Sequence, residues 1–190
     1  TRALHALAAQ IAIQRGDHAE ALAALEAAQA VDAAPAPIAV VRGELATLIR
    51  VAHALALEST GAARQRAVDK AMAWGARWRT IDPSNPAVDQ QLGDLLLALG
   101  DRAGAWRQLS SMIERDPWSG AGYSAVAETF EQKGWLADAL PFWQQAIVID
   151  QTNPTPRVRK AQALFALGRA VDGDALIAEV LRRRWHEQWE

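Results

Sequence analysis

Apolar residues recur along the chain at helical spacing and in paired blocks. Val88, Leu92, Leu95, Leu96 and Leu99 stand three or four apart, which places them on one face of a helix. Gly100 interrupts, and then Ala105, Leu109, Met112 and Ile113 take up the same spacing. The pattern predicts two helices joined by a tight turn, because Gly adopts left-handed backbone at little cost where the first must end. The same arrangement surrounds Gly134 and Gly168. Apolar–polar alternation, the mark of a half-buried strand, is scarce. Ala and Leu supply most of the 51% hydrophobic content, which favours helix over sheet.

The paired blocks are one unit repeated. Under a shift of 34 residues, Leu92 meets Val126, Gly93 meets Ala127, Leu96 meets Phe130 and Gly100 meets Gly134. Ala105 meets Ala139, Leu109 meets Trp143, Met112 meets Ala146, Ile113 meets Ile147 and Asp116 meets Asp150. A further shift reaches Ala161, Leu164, Gly168, Gly173, Ile177 and Val180. Ala9, Ala12, Gly16, Ala21, Leu25, Ala28 and Asp32 repeat the pattern at the N-terminal end, and Ala71, Trp78 and Pro83 carry it backwards from Ala105, Met112 and Pro117. Small residues at fixed places predict close helix approach, with Leu96 or Phe130 and Leu109 or Trp143 filling the space between. Asn85-Pro86 and Asn153-Pro154 predict helix starts, as does Ser119. Pro141 is expected in the first turn of its helix, where a missing amide leaves no bond unmade.

This spacing, with its small and large landmarks and the endings Asp82-Pro83 and Asp116-Pro117, resembles the tetratricopeptide repeat family. The resemblance implies a single all-α domain over 1–190, a right-handed α-solenoid of about five helical hairpins. These cover 2–35, 36–85, 86–119, 120–153 and 154–187. It is weaker in 154–187, where Gly173 replaces the usual Ala and Lys160 stands where an apolar residue is normal. The region 36–85 departs most, since Gly16 to Gly100 spans two periods plus sixteen residues. Longer helices, about Ile38–Glu58 and Ala62–Thr80 around a turn at Ser59-Thr60-Gly61, absorb the excess.

One hairpin cannot bury its own apolar face, so hairpins stack. In this family the stack has a concave groove, lined by first helices, that holds extended peptides or partner helices. Carried over position by position, the implied groove residues are Gln90, Asp94, Ser124, Glu128, Glu131, Arg159 and Gln162, with Gln10 as an outlying candidate. Asp94, Glu128 and Glu131 would make an acidic middle, and Arg157, Arg159 and Lys160 a basic end. A partner segment of polar or basic character is expected, against a solvated face with ordinary charges as the plainer alternative. One subgroup of the family grips a C-terminal carboxylate with Lys, Arg and Asn. Gln90, Asp94, Ser124 and Glu128 occupy those places here, and acids repel a carboxylate.

The charge balance sharpens the picture. A formal net charge of −2 lacks the basic excess of a nucleic-acid binder. The absence of Cys excludes disulfides and thiolate metal sites. No apolar run approaches the roughly 18 residues of a membrane span. No leader pattern opens the chain. It begins at Thr1, so a piece of a longer protein or a processed form is expected. The Ala- and Arg-rich composition resembles that of a bacterium with a GC-rich genome, and bacterial members of the family occur on both sides of the inner membrane.

Residues that suggest chemistry are better read as structure. Of eight Trp, Trp74, Trp78, Trp106 and Trp143 fall on second helices and are expected in packing; Trp118 and Trp135 are expected to cover hairpin ends. In the tail, Arg182, Arg183 and Arg184 precede Trp185 and Trp189, which share a helical face; this tail is expected to finish the stack or to dock on a segment missing from this chain, with contact to phosphate or an anionic membrane as the alternative. "HEQWE" lacks the second His of a zinc-protease helix, having Glu190 there. His5, His18, His53 and His186 have no ligand spacing. No cofactor or metal, and no catalysis, is expected. A regulatory or substrate-presenting domain of a larger enzyme or envelope assembly machine is the alternative function, and self-association through exposed hairpin ends a third.

Overall fold

The computed structural model describes residues 1–31 and 37–185; Asp32, His186, Trp189 and Glu190 lie outside them. The described residues form ten helices and no strand. They are α1 (Arg2–Arg15), α2 (His18–Ala30), α3 (Ile38–Glu58), α4 (Gly61–Ile81), α5 (Ala87–Ala98), α6 (Arg102–Arg115), α7 (Gly120–Gln132), α8 (Leu136–Ile149), α9 (Thr155–Ala166) and α10 (Ala170–Arg182). The long pair expected around Ser59-Thr60-Gly61 is α3 and α4, the second one residue longer at each end than its expected span.

The chain divides into two compact units, Thr1–Ala105 and Trp106–Glu190, with the division inside α6. In the first, α1 packs on α2, α2 on α3, and α3 on both α4 and α5. In the second, α7 packs on α8, α8 on α9 and α9 on α10. The architecture is an all-α one of tetratricopeptide-like hairpins.

Local chemistry explains the turns. Gly16, Gly100, Gly134 and Gly168 all have φ between 75° and 82°. That twist lets the next amide reach back five residues: Asp17 N donates to Ala12 O at 2.9 Å, Asp101 N to Leu96 O at 2.9 Å, Trp135 N to Phe130 O at 2.9 Å and Arg169 N to Leu164 O at 2.8 Å. Otherwise orphaned carbonyls of the helix end are thereby satisfied. The residue after the glycine can also start the next helix. Asp17 Oδ1 accepts from Glu20 N at 2.9 Å, and Asp101 Oδ1 from Gly104 N at 2.8 Å. Asn85 Oδ1 accepts from Ala87 N at 3.0 Å, Asn153 Oδ1 from Thr155 N at 2.9 Å, and Ser119 Oγ from Ala121 N at 3.3 Å.

Pro141 departs from expectation. The helix begins at Leu136, so Pro141 lies in its second turn and not its first. Proline carries no amide hydrogen, and the helical bond to the Ala137 carbonyl is lost.

The repeat landmarks form the core. Ala21, Ala71, Ala105 and Ala139 are fully buried, as are Leu92, Val126, Leu109 and Trp143. The first unit's core gathers Leu22, Leu45, Leu48, Ile49, Trp78 and Leu92; the second unit has a smaller cluster of Ala127, Ala139 and Trp143 with Phe130 and Phe142 against it. Gly173 is explained by its neighbour: a Cβ there would lie 2.6 Å from Phe165 Cε1. At Gly122 a Cβ would meet the Met112 carbonyl oxygen at 2.6 Å, so α7 approaches α6 at backbone distance.

Candidate functional site

The predicted first-helix residues fall in both units. In the second unit, Ser124 and Glu128 come from successive turns of α7 and line an open hollow of about 490 Å³. Asp150 and Asn153, from the connection to α9, and Thr155, at the start of α9, complete its polar side; Trp143 backs it. Asp150 Oδ1 is held by Thr152, which donates from N at 3.2 Å and Oγ1 at 2.8 Å. The lining carries two carboxylates, Glu128 and Asp150. It suits a partner that brings hydrogen-bond donors or positive charge.

Glu131 has a different environment. Trp143 Nε1 donates to its Oε1 at 2.8 Å, and Arg159 Nη2 pairs with its Oε2 at 2.9 Å. The Arg159 guanidinium also lies 5.9 Å from the Trp143 ring centroid. Both oxygens are committed within the unit, so Glu131 and Arg159 brace α7, α8 and α9. Gln162 is exposed one turn further along α9.

The three bases expected at one end diverge. Arg157 is 3% exposed; its Nε donates to Glu179 Oε1 at 2.9 Å and its Cζ lies 5.3 Å from the Trp185 ring centroid. Arg159 serves Glu131, and Lys160 Nζ donates to Gln144 Oε1 in another hollow. Helical geometry is the reason, since neighbours along a helix are turned about 100° apart. Trp185 Nε1 donates to Val180 O at 2.8 Å, and the Arg183 guanidinium lies 5.1 Å from its ring centroid, so Trp185 folds back onto the end of α10.

In the first unit, Asp94 lines a recess of about 200 Å³ with Gln91, Ile49, Arg50 and His53. Gln90 beside it is half-buried. Gln10 is exposed and borders a more apolar hollow of about 520 Å³ between α1 and α3, where Glu44 receives both Arg2 and Gln29.

Sequence reasoning did not assign Asp150, Asn153 or His53 to any site. The sequence marks Asp150 by its spacing and Asn153 as a helix cap; each also lines the hollow, where the α8–α9 connection runs beside α7. His53 has no spacing signal, because its neighbours come from α5. Trp118 is 86% exposed and covers nothing, whereas Trp135 lies 6.0 Å from Phe130 between ring centroids. No helix among the described residues is long and apolar enough to cross a membrane. No group of three or more potential metal ligands stands among them either.

The hairpin geometry defines a tetratricopeptide-like helical repeat. No family model matches the chain, and no curated protein does. Solved structures of similar fold include MamA 41-end from Desulfovibrio magneticus RS-1, at 14% identity and TM-score 0.46 over 95% of this chain and 93% of that one. A crystal structure of MamA protein follows at 13% identity and TM-score 0.49, over 95% and 90%. A thermophilic TPR protein of Thermus thermophilus aligns at 18% identity and TM-score 0.46, over 95% and 90%. At these identities function does not travel along the likeness.

Proposed function

We propose that the chain is a non-catalytic protein-interaction module that holds a partner segment against its first helices. The observation that carries this reading is the hollow beside α7, where the carboxylates of Glu128 and Asp150 stand with Ser124 and Asn153. A basic or donor-rich segment satisfies them, and an acidic one is repelled. The walls belong to helices packed on each other, so little ordering accompanies binding and less of the interaction energy is lost to it. Asp94 adds a second acidic position on a first helix, within the other unit.

The test is a crosslinking pull-down from source lysate with wild type and with the double charge reversal Asp94→Lys, Glu128→Lys, after circular dichroism shows both folded. One partner recovered by wild type and lost by the variant is the expected result. Recovery of the same partners by both contradicts recognition through these acids.

A further inference from the structure

A second hollow, of about 600 Å³, opens in Trp106–Glu190 where α8, α9 and α10 meet. Leu140 from α8, Leu164 from α9 and Leu176 from α10 wall it, and Lys160, Arg169 and Asp172 form its polar edge. Its place in the repeat is informative. Lys160 occupies the register of Leu92 and Val126, both fully buried. Where those hairpins pack an apolar side chain, this one has an open space with an ammonium facing it.

The charges around that space do not balance. Arg169 is taken by Asp172, with Nε 2.9 Å and Nη2 2.7 Å from Oδ2. Lys160 Nζ donates to the neutral oxygen of Gln144. Two cations against one carboxylate leave one positive charge beside apolar walls. Burial, and then the nearby Arg169, lower the Lys160 pKa below the usual ammonium value, against the opposing pull of Asp172. An anion between the two cations relieves both effects. A concave, largely apolar space of several hundred Å³ with a few polar groups is the usual form of a small-molecule site. A bare inorganic anion would leave those walls unused.

We propose that this hollow binds a small carboxylic acid with an apolar chain. The carboxylate lies between Lys160 and Arg169, and the chain lies along Leu140, Leu164 and Leu176. The site is separate from the α7 hollow. The two hollows share no lining residue: α9 gives Thr155 and Pro156, at its start, to the one and Lys160 and Leu164, further along, to the other.

The experiment is calorimetric titration of the whole chain with sodium octanoate at neutral pH, with octanol as the uncharged control. Saturable octanoate binding is expected, and Lys160→Met weakens it about tenfold or more, the loss of one charge-assisted bond. Met suits the apolar register, so the variant should fold; Arg169→Gln, at an exposed position, is the second variant and weakens binding several-fold. In wild type, octanoate also moves the Lys160 ammonium titration upward, with Arg169 and Asp172 as the charged groups facing it. The proposal is overturned if octanoate does not bind, if octanol binds as tightly, or if both variants bind like wild type.

Discussion

Asp89 in the first unit and Arg157 in the second stand at one register of the repeat, two periods of 34 apart, with opposite charges. Both are buried, at 0% and 3% exposure. Asp89 turns back to α4, where Arg79 Nε and Nη2 donate to its Oδ1 at 2.9 and 2.6 Å. Arg157 turns forward to Glu179 on α10. In each pair the other partner is the wetter one: the Arg79 side chain is 31% exposed and that of Glu179 45%. Tyr123, midway between them, is half-buried and neutral. The repeat therefore places a buried polar bridge at both positions and leaves its sign open. A buried carboxylate depends heavily on its guanidinium, whereas a buried guanidinium is more weakly hydrated and can also rest on an aromatic face.

That difference orders the expected effects. Arg79→Met should cost most, about 3 kcal/mol in urea denaturation, because it leaves a fully buried carboxylate without its guanidinium. A loss of about 0.5 kcal/mol, as for an ordinary surface change, would break the comparison. Glu179→Gln should cost less, about 1.5 kcal/mol, since Arg157 keeps the Asn153 carbonyl at 3.4 Å and the Trp185 ring. Equal losses from the two variants would mean that the sign of the buried charge is immaterial. Trp185→Leu should remove about 1 kcal/mol more from Glu179→Gln than from Arg157→Met, the cation–π share measured by a double-mutant cycle.

The smallest effects are pH-dependent; both folded pKa values are lowered, so both make stability rise with pH, one in the acid range and one in the alkaline range. Hydrogen bonding from Asn85, outweighing partial burial and aided by Arg42, holds the Asp82 carboxyl below its usual pKa. Its contribution is present above about pH 4 and is lost as pH falls through the lower folded value. Asp82→Asn should flatten that acid loss. Lys160 is a base with a lowered folded pKa, so its charged form opposes folding at neutral pH. Stability should rise as pH climbs through that value towards the unfolded one of about 10.4. Lys160→Met should remove the rise and leave the protein more stable at pH 7.

What the sequence revealed follows from how local each determinant is. The α3 boundaries, the glycine turns and the Asn and Ser caps were legible, because each depends on a few consecutive residues and their backbone preferences. Pro141 was misplaced because α8 starts at Leu136, and no capping residue marks that start. The Asp89 and Arg157 bridges were missed because landmark reading follows size, and their partners come from other helices. The proposed basic end failed to form for the same reason: three nearby bases on α9 meet three different neighbours. Lys160 was visible as an anomaly in the register, but the hollow it faces required knowing where α8 and α10 lie.

The most direct test of the central claim uses a photo-crosslinking amino acid at Ser124, inside the α7 hollow, and at Arg107, exposed on α6. Each is irradiated in source lysate and its adducts are mapped by mass spectrometry. The account predicts a discrete partner adduct from position 124, with the crosslinked peptide rich in Lys or Arg, and none from position 107. The same adducts from both positions, or an acidic peptide at 124, would contradict it.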